Sequence, residues 1–594
     1  MTTSTELRRR RGTSRQSCSI WGRCSTSLSG VEAVPMIPSD RATNRISATD
    51  SVGSLEIFGQ CFAEDHALAQ GLVDYLGSGE HHRITEQVGC YSAALEQAGE
   101  ITLFADPVGQ FPLFYDRSGR YSTKASDLGV DIDRGYLATR LACLDSTGML
   151  ENRSLYQEVR RVREGHALRV KDGQLDERPF APLRVDPDLS AADAAEMLQE
   201  SLTAAVRARA LSARRLVSDL SGGLDSTSLA YLALDDVAEL PVFTHYNPES
   251  PVLDDVERAE RYVRSEPRFD QQVVKVSAEH LPYQELVSMG DEPHPASIAC
   301  GPARLRLSAA AALGADVHLV GEGGDAVLWA PGAYFIDLAR RGDLATLWRH
   351  CFAWARLRNR SPLSVFRRAV VMAGLGRRRA LLRLADTLER GRLVDDMSWE
   401  VSVIARWDLP QVHWFTRSTR HLLAAQARFA ADQESDVDSA EFAVLSQLRL
   451  HGFAQRVLRE AGDEVGVAVH APFLDTAVVR AATTIPAHRR ADPTVAKPLL
   501  KKALAGLVPD RVLSRETKGD YSREAYQGLR RAAPCLRKLL ADSAAADFGL
   551  IDPVPVLQTI EDAVNGLRVP WGALNQVLAV EVWLRANAGE VAST

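Results

Sequence analysis

The chain is poor in cysteine and contains no long apolar run. Its eight cysteines are scattered over 594 residues, with no C-x-x-C pair and no His/Cys cluster. This spacing argues against a disulfide framework or a zinc site and is typical of a reducing compartment, so we expect a cytoplasmic protein. Apolar runs such as 369–375 are too short to span a bilayer, so we expect no membrane partner.

The chain also lacks an excess of positive charge. Its formal net charge is −7, from 70 Lys and Arg against 77 Asp and Glu. Composition therefore gives no reason to expect a nucleic-acid partner. At about 150 residues per domain, a chain of this length predicts two to four domains.

The first residues lack the apolar segment of a signal peptide. They are rich in Arg and Ser, and no apolar h-region follows the arginines. We interpret residues 1–52 as a disordered leader or as the result of a misassigned start, with the true start near Met36.

Residues 53–182 show short alternating or apolar runs separated by turn residues. Hairpin turns are predicted at "QAGE", "DRSG" and "KDGQ", so this region is expected to be mostly strands. The two prolines of 181–190 indicate a linker, and Ser190 is predicted to cap the helix that follows.

Beyond residue 190 the pattern changes to strands that alternate with helices. Strands are predicted at "RLVSDL", "PVFTHY", "QQVVKVS" and "ADVHLV". The alternation predicts an α/β fold with a parallel sheet, covered on both faces, whose ligands bind beyond the C-terminal strand ends. The pattern of residues 333–470 is nearly all helical and rich in arginine, which predicts a large helical insert in a domain of residues 190–590.

The first of these strands runs into "LSGGLDS", a glycine turn without the lysine of the usual nucleotide P-loop. Ser221, Gly222 and Gly223 let backbone N–H groups crowd one anion, because glycine accepts φ > 0 and has no side chain to intrude. The helix that opens near Ser226 points its positive end at the same place. Without the lysine, the turn suits a reaction in which pyrophosphate leaves as a unit, and Asp225 is placed to hold Mg²⁺.

A second glycine turn, "GEGGD", follows a later strand and supplies Glu322 and Asp325. Either turn alone is a weak signal, because glycine turns often join strands to helices. Two such turns with aspartates at two strand ends predict a shared site.

These motifs resemble a known family. Residues 221–226 match the SGGxDS motif of the PP-loop ATP pyrophosphatases, and with "GEGGD" they resemble the asparagine synthetase branch, which includes β-lactam synthetases and lasso-peptide cyclases. "GVAVHAPFLD" is similar to that branch's GVEVRVPFLD segment, and residues 495–521 resemble its closing stretch, in which a lysine reaches the active site. The resemblance covers about 55–580 and implies a glutaminase-like (Ntn-type) β-rich domain followed by a PP-loop (adenine nucleotide alpha hydrolase-like) synthetase domain.

Carried over by position, the resemblance implies an ATP site with Mg²⁺. Asp225 and Asp325 would bind the metal between the ATP phosphates, and Lys518 would stabilise the acyl-adenylate and the tetrahedral intermediate. Glu322 is either a general base or a carboxylate that orients a neighbouring turn, and Asp475 is expected to be a structural cap or a buried turn residue. The residues expected around the nucleotide are Leu220, Ser221, Gly222, Gly223, Asp225, Ser226, His245, Val320 and Gly321.

The N-terminal region resembles the glutaminase domain of asparagine synthetases most clearly at 104–116. A working glutaminase of that class needs an N-terminal cysteine whose own α-amine acts as the base, whereas this chain begins Met1-Thr2. Cys61 and Cys90 are internal and are interpreted as core residues. We therefore expect residues 53–182 to form a glutaminase fold without glutaminase activity.

The resemblance therefore implies that the amine comes from the substrate itself. The leading hypothesis is a lasso-peptide cyclase, which adenylates an Asp or Glu side chain of a core peptide and joins it to the peptide's N-terminal amine. Its expected partners are the precursor peptide, a leader-binding protein and a leader peptidase. The arginine-rich insert is either the lining of a peptide cavity or a solvated helical face.

Three alternatives stay open at this point. A β-lactam synthetase is less favoured because Glu322 stands where that family has tyrosine, and an asparagine synthetase supplied with free ammonia is the second alternative. The third is an inactive scaffold, against which the retained Ser221, Asp225, Asp325 and Lys518 count.

Overall fold

The structure of this chain is a computed structural model. Among the residues it describes, no helix is long and apolar enough to cross a membrane. The described residues are 45–50, 53–63, 86–97, 99–142, 150, 152–181, 183–249, 253–357, 359–391, 412–433, 438–515 and 522–587.

The N-terminal region forms a six-stranded antiparallel sheet in the order β1-β2-β3-β4-β8-β9, and a three-stranded antiparallel sheet, β6-β5-β7, lies in the same region. As predicted, strands are the main regular structure of this region. The strands are β1 (Arg45–Asp50), β2 (Gly53–Cys61), β3 (Gly89–Gln97), β4 (Glu100–Phe104), β5 (Phe114–Tyr115), β6 (Tyr121–Ser122), β7 (Arg160–Arg161), β8 (His166–Lys171) and β9 (Gln174–Pro179).

Strand β1 lies inside residues 1–52, which we interpreted as a leader. Its sequence, RISATD, alternates apolar and polar residues, which suits an edge strand, and β2 supplies the antiparallel partner. The chain therefore enters the sheet earlier than the sequence pattern indicated.

The hairpin predicted at "KDGQ" is present between β8 and β9. Asp172 and Gly173 have φ angles of 50° and 73°, and two consecutive positive φ angles are the signature of a type I′ turn. This turn matches the twist of the paired strands and fixes their register.

The second sheet has five parallel strands in the order β12-β11-β10-β13-β14. The chain builds β10, β11 and β12 outward in one direction and then returns to the other side of β10 for β13. This reversal creates a crevice between the ends of β10 and β13, the place where ligands bind in open α/β sheets. The strands are β10 (Leu216–Asp219), β11 (Leu240–Tyr246), β12 (Phe269–Lys275), β13 (Val317–Leu319) and β14 (Ala468–His470).

The mixed α/β fold with a parallel sheet and a separate antiparallel sheet is thus confirmed. Strand β14 was not predicted, because only three residues pair with β13 and they follow a long helical region. Ser190 caps the next helix as predicted, since its hydroxyl accepts hydrogen bonds from the backbone N–H groups of Ala192 and Asp193.

Helices cover the parallel sheet and form the predicted insert. The earlier helices are α1 (Arg134–Ala142), α2 (Ala191–Ser212), α3 (Leu224–Ala233), α4 (Leu253–Ser265), α5 (Pro295–Ile298), α6 (Gly301–Ala312) and α7 (Gly324–Leu328). The insert holds α8 (Tyr334–Arg340), α9 (Leu344–Leu357), α10 (Pro362–Arg390), α11 (Arg417–Asp432) and α12 (Ser439–Asp463). The later helices are α13 (Thr476–Thr484), α14 (Ala487–Arg490), α15 (Pro498–Ala503), α16 (Asp510–Leu513), α17 (Ser522–Ala541), α18 (Ala544–Asp547), α19 (Pro553–Val564) and α20 (Trp571–Ala586).

A buried ion pair joins α2 to the turn before α13. Both Arg209 and Asp475 are almost fully buried, at 0% and 1% side-chain exposure. The two guanidinium nitrogens of Arg209 donate to the two carboxylate oxygens of Asp475 at 2.8 and 2.5 Å, and Nη2 also reaches Gln60 Oε1 on β2 at 3.1 Å. Asp475 lies in a buried turn at the start of α13, in line with the structural role expected for it.

The start of α12 is held by a buried carboxylate from another helix. Asp337 of α8 accepts hydrogen bonds from the backbone N–H groups of Ser439 and Ala440 at 3.0 and 2.8 Å. Glu441 lies beside it, and burial, together with repulsion from Asp438 and Asp337, raises the pKa of Glu441 to about 7. The folded state therefore favours protonated Glu441.

We predict that Asp475→Ala destabilises the protein by about 3–5 kcal/mol, because it leaves the Arg209 guanidinium buried without its counterion. Urea unfolding followed by tryptophan fluorescence measures the loss. The double variant Arg209→Met/Asp475→Leu removes both charges and should recover most of the stability. A single variant as stable as the parent would show that the pair is not structurally important.

We also predict a pH-dependent effect of Glu441→Gln. Because the folded-state pKa of Glu441 is raised, its stabilising contribution is complete below the unfolded pKa near 4.5 and is lost as the pH rises through about 7. Thermal unfolding should therefore show the Gln variant gaining Tm over the parent at about pH 8, with a smaller gain or none near pH 5. Equal differences at both pH values would contradict this.

Candidate active site

The two glycine turns lie side by side at the C-terminal edge of the parallel sheet. Strand β10 pairs with β13 in parallel register, Leu216 opposite Val317 and Ser218 opposite Leu319. Because both strands end at the same edge, the residues after each of them meet over the crevice between β10 and β13. The structure thus brings together the two motifs that the sequence suggested form one site.

The first turn is organised by its own serines. Ser221 Oγ lies 2.8 Å from Ser226 Oγ and accepts a hydrogen bond from the Gly223 N–H at 3.2 Å. Gly222 has φ 73°, and a Cβ there would lie 2.5 Å from the Asp255 carbonyl oxygen. Only glycine fits at this position, and Gly223 then opens α3 with Asp225 in its first turn.

The second turn presses directly against Asp225. A Cβ on Gly324 would lie 2.6 Å from Asp225 Cγ, and one on Gly321 would lie 2.9 Å from the Ser226 backbone nitrogen. These glycines therefore allow the two strand ends to approach each other. The approach brings Asp225 and Asp325 within reach of one ion.

The ammonium group of Lys497 lies between the two aspartates. Its Nζ is 2.5 Å from Asp225 Oδ2 and 2.6 Å from Asp325 Oδ1, and the lysine side chain is 5% exposed. The Lys497 backbone has φ 49°, a left-handed conformation that costs a non-glycine residue about 1–2 kcal/mol. The two ion pairs offset that cost.

This arrangement fits a magnesium ion. The two carboxylates already converge on a cation, and Mg²⁺ commonly takes one or two protein carboxylates together with substrate phosphate oxygens. Across the described ranges, no group of three or more His, Cys, Asp or Glu side chains could hold a metal ion. The pair suits a metal that arrives with a nucleotide, because phosphate oxygens of the substrate then complete its coordination.

Glu322 is held by a histidine from the helical insert. Its Oε1 lies 2.5 Å from His451 Nδ1, and both side chains are about one quarter exposed, at 25% and 24%. The pairing fixes the direction of the carboxylate at the cavity wall. A carboxylate with this contact and partial exposure can accept a proton from a bound molecule.

Asp219 and Arg306 form another wall of the cavity. Asp219 Oδ1 is 2.9 Å from His318 Nε2 and 3.3 Å from Arg306 Nε. Burial raises the pKa of Asp219, but Arg306 and His318 outweigh burial and lower it to about 2. Asp219 is therefore a permanent anion, and Arg306, paired with it, lines the same cavity.

Arg515 holds the first glycine turn in place through hydrogen bonds. Its guanidinium donates to the Gly222 carbonyl and to the Asp255 carboxylate, and Arg515 is 4% exposed. The Arg515 carbonyl in turn accepts a hydrogen bond from Lys501 Nζ at 3.0 Å. These contacts tie the turn to the segment that contains Lys497.

The cavity between these groups has a volume of about 330 Å³. Trp329 stands at its wall, 43% exposed, and donates through Nε1 to Asp325 Oδ1 at 3.0 Å. The predicted site residues that line it are Ser221, Gly223, Asp225, Ser226, Val320, Gly321, Glu322 and Asp325.

Three predicted residues have other positions. Leu220 is fully buried and its N–H donates to the Phe243 carbonyl within the sheet, while Gly222, inside the turn, packs against the Asp255 carbonyl and does not line the cavity. His245 does not line the cavity, and its Nε2 lies 2.8 Å from Glu524 Oε1 on α17. Lys518 lies outside the described residues, so its role stays a prediction.

Sequence reasoning missed Lys497, His451, Arg515, Arg306 and Asp219. Lys497 lies in the segment that resembles the closing stretch of the family, for which the resemblance implies Lys518 as the lysine of the active site. His451 sits in a helical pattern with no turn or glycine motif to single it out. Of these five residues, only Asp219 had a visible signal in the sequence, because it lies just before "LSGG" in an apolar strand.

Comparison with known families identifies the group to which this chain belongs. A family model described as "Asparagine synthase" matches residues 197–585, well over half of the chain. The chain is therefore a member of the asparagine synthase family, which consists of ATP-dependent amide-forming enzymes.

Two solved structures are similar over part of the chain. A glutamine phosphoribosylpyrophosphate amidotransferase from B. subtilis, complexed with ADP and GMP, is 13% identical over 38% of this chain and 47% of its own, with a TM-score of 0.15. A structure described as the allosteric regulatory enzyme of purine biosynthesis is 11% identical over 38% of this chain and 61% of its own, with a TM-score of 0.14. The chain spans less than two thirds of the length of either structure. No curated protein matches this chain.

We predict that Lys497→Met makes the protein more responsive to magnesium. Without the ammonium group, Asp225 and Asp325 repel each other until a cation binds, so Mg²⁺ alone should raise the Tm of Lys497→Met more than that of the parent. Differential scanning fluorimetry with and without MgCl₂ measures this. Lys502→Met, an exposed lysine on α15, is the matched control and should behave like the parent. A Tm of Lys497→Met that does not respond to Mg²⁺ would argue against a metal between the two aspartates.

Proposed function

We propose that this protein is an ATP- and Mg²⁺-dependent macrolactam synthetase of the lasso-peptide cyclase type. It adenylates an Asp or Glu side chain of a core peptide and joins that carboxyl group to the peptide's N-terminal amine, with AMP and pyrophosphate as products. The observation that carries the proposal is the convergence of Asp225, Asp325 and Lys497 over the glycine turns, beside the Glu322–His451 pair.

In the first step, a substrate carboxylate oxygen attacks the α-phosphorus of ATP and the bond to pyrophosphate breaks. The backbone N–H groups of the first glycine turn and the N-terminus of α3 face the phosphates. Bound Mg²⁺ would supply charge neutralisation between Asp225 and Asp325. Displaced by the metal from its position between the two carboxylates, the Lys497 ammonium group would balance the charge of the leaving pyrophosphate.

In the second step, the peptide amine attacks the acyl carbon, the C–O bond to AMP breaks and an amide forms. The attacking amine must lose a proton, and Glu322 accepts it, oriented by His451. Lys518, from the segment after Arg515, is assigned to the negative charge on the tetrahedral intermediate.

The two cysteines of the N-terminal sheet, Cys61 and Cys90, lie in surroundings that support a reaction whose amine comes from the substrate. Burial raises the pKa of the Cys90 thiol well above its usual range, and Asp106, to which Cys90 donates at 3.1 Å, raises it further. Burial also raises the pKa of Cys61. Neither cysteine of this sheet offers a thiolate that could release ammonia from glutamine.

The same proposal assigns residues 53–182 to a glutaminase-like Ntn-type domain and 190–590 to a PP-loop synthetase domain. The peptide would reach the synthetase after a leader-binding protein and a leader peptidase have processed its precursor. The N-terminal region packs against the parallel-sheet core through Cys90, Val108 and Phe111.

We predict that Glu322→Gln separates the two half-reactions. With ATP, Mg²⁺ and a synthetic core peptide encoded beside this protein, the parent should remove one water from the peptide and release AMP and pyrophosphate. Glu322→Gln should keep peptide-dependent ATP–pyrophosphate exchange but slow ring closure by about 10²–10⁴-fold. Asp225→Asn should lose both the ATP–pyrophosphate exchange and ring closure. Lys502→Met should lose neither reaction. Mass spectrometry of the peptide and exchange of labelled pyrophosphate measure the two steps.

Other outcomes point to other functions. Turnover of aspartate with ammonia, or of a small β-amino acid, with an unchanged peptide would replace the lasso-peptide proposal by one of these smaller ligase reactions. Absence of ATP use with every substrate would leave a scaffold. Equal loss of exchange and closure in Glu322→Gln would assign Glu322 to substrate binding or to turn geometry.

A further inference from the structure

The first helices of the insert carry an unusually basic sequence. Residues 344–385, which span α9 and most of α10, contain ten arginines, no lysine and no acidic residue. The whole chain has a net charge of −7, so its negative charge lies entirely outside this segment. Charge of one sign is thus concentrated on two consecutive helices.

The same helices expose large apolar side chains in a regular pattern. Leu344, Trp348 and Phe352 are spaced four residues apart on α9 and are 49%, 45% and 46% exposed. Residues with this spacing lie on one face of a helix. The opposite face of α9, with Leu347 and Cys351, is buried in the core of the insert.

Helix α10 continues this apolar surface. Leu363 and Val370 are 64% and 42% exposed, and Phe366 lies between them on the same side. The Phe366 ring packs edge-on against Trp348 of α9, with centroids 5.6 Å apart. We call Leu344, Trp348, Phe352, Leu363, Phe366 and Val370 the α9–α10 face.

Exposed arginines are interleaved with this face. Arg356 continues the α9 row one turn beyond Phe352, and Arg367 lies between Leu363 and Val370 on α10. Arg349 is also exposed. Contiguous exposed apolar residues of this size on a protein surface are typical of interaction sites, and the guanidinium groups define the charge that the partner must carry.

We propose that the α9–α10 face docks an acidic amphipathic segment of a partner protein. Apolar side chains of the segment pack on Trp348 and Phe352, and its carboxylates pair with Arg349, Arg356 and Arg367. Guanidinium forks bind carboxylates in a bidentate manner, and aromatic residues with arginines form the energetic centres of protein interfaces. The proposal does not depend on the reaction that the active site catalyses.

The charge distribution favours a short acidic segment over an anionic membrane. A membrane is an extended anionic surface, and it would repel the remainder of this acidic chain as it approached. A single segment covers only the basic face and avoids that repulsion. A lipid surface is therefore an outcome that the test must exclude.

The test uses the full-length chain and a synthetic helical peptide of about 18 residues, or five turns, with Glu on one face and Leu and Trp on the other. A matched peptide carries Lys in place of every Glu. Fluorescence anisotropy should show the acidic peptide binding at least about tenfold more tightly than the basic one, with affinity falling as salt rises from about 50 to 500 mM.

Protein variants locate the binding. Trp348→Ala/Phe352→Ala should lower the affinity for the acidic peptide by at least about tenfold. Arg349→Glu/Arg356→Glu should reverse the preference, so that the basic peptide binds more tightly than the acidic one. Leu567→Ala/Arg568→Glu changes an exposed leucine and an exposed arginine outside the face and should bind like the parent. Circular dichroism melting checks that each variant is folded.

Several results would overturn the proposal. Equal binding of both peptides, absence of binding, or unchanged binding in the face variants would remove the acidic segment as its occupant. Flotation with phosphatidylglycerol vesicles that is lost in the arginine variant would assign the face to a lipid surface. Light scattering that shows an oligomer in the parent and a monomer in Trp348→Ala/Phe352→Ala would assign it to a second copy of the chain.

Discussion

Two aspartates that face each other in a partly enclosed cavity repel unless a cation lies between them. In this protein that constraint is met by Lys497, at 2.5 and 2.6 Å from Asp225 and Asp325. Much of the local structure follows from it. Gly321 and Gly324 must lack side chains so that the two turns can close, and Lys497 must adopt a left-handed backbone to reach both carboxylates. The same negative pair that orders the lysine makes the cavity suited to a magnesium nucleotide.

Helix α12 connects this cavity to the N-terminal sheet. On one side, His451 pairs with Glu322, which lines the cavity. The next residue is Gly452. A Cβ at this position would lie 2.7 Å from the Val108 carbonyl oxygen, so the N-terminal region packs directly on the helix backbone. Arg449 extends the contact through Glu164 at 3.0 Å. The direction of the candidate base therefore depends on how the N-terminal region is seated, which gives that region a structural role in any chemistry at Glu322.

The sequence allowed much of the fold to be predicted, because its signals are local. Apolar runs and turn residues located most strands, and Ser190 marked a helix start through its own hydroxyl. Strand β14 was missed because three residues carry no periodicity, and β1 was missed because an arginine- and serine-rich start obscured a short alternating strand. At the site, glycine turns were visible because they need a special residue type. Residues held only by distant partners, such as His451 and Arg515, gave no local signal.

By itself, the sequence determined the α/β class, the two glycine turns with their aspartates, and the concentration of arginine without acid in 344–385. These depend on residue type and spacing, which no packing can alter. Only the tertiary structure decided that Lys497 bridges the two aspartates, that His245 pairs with Glu524 and does not line the cavity, and that the α9 aromatics face outward. Such pairings join residues up to some hundreds of positions apart. They are set by which strand ends share an edge and which helix faces are buried, and those choices are made by the packed chain as a whole.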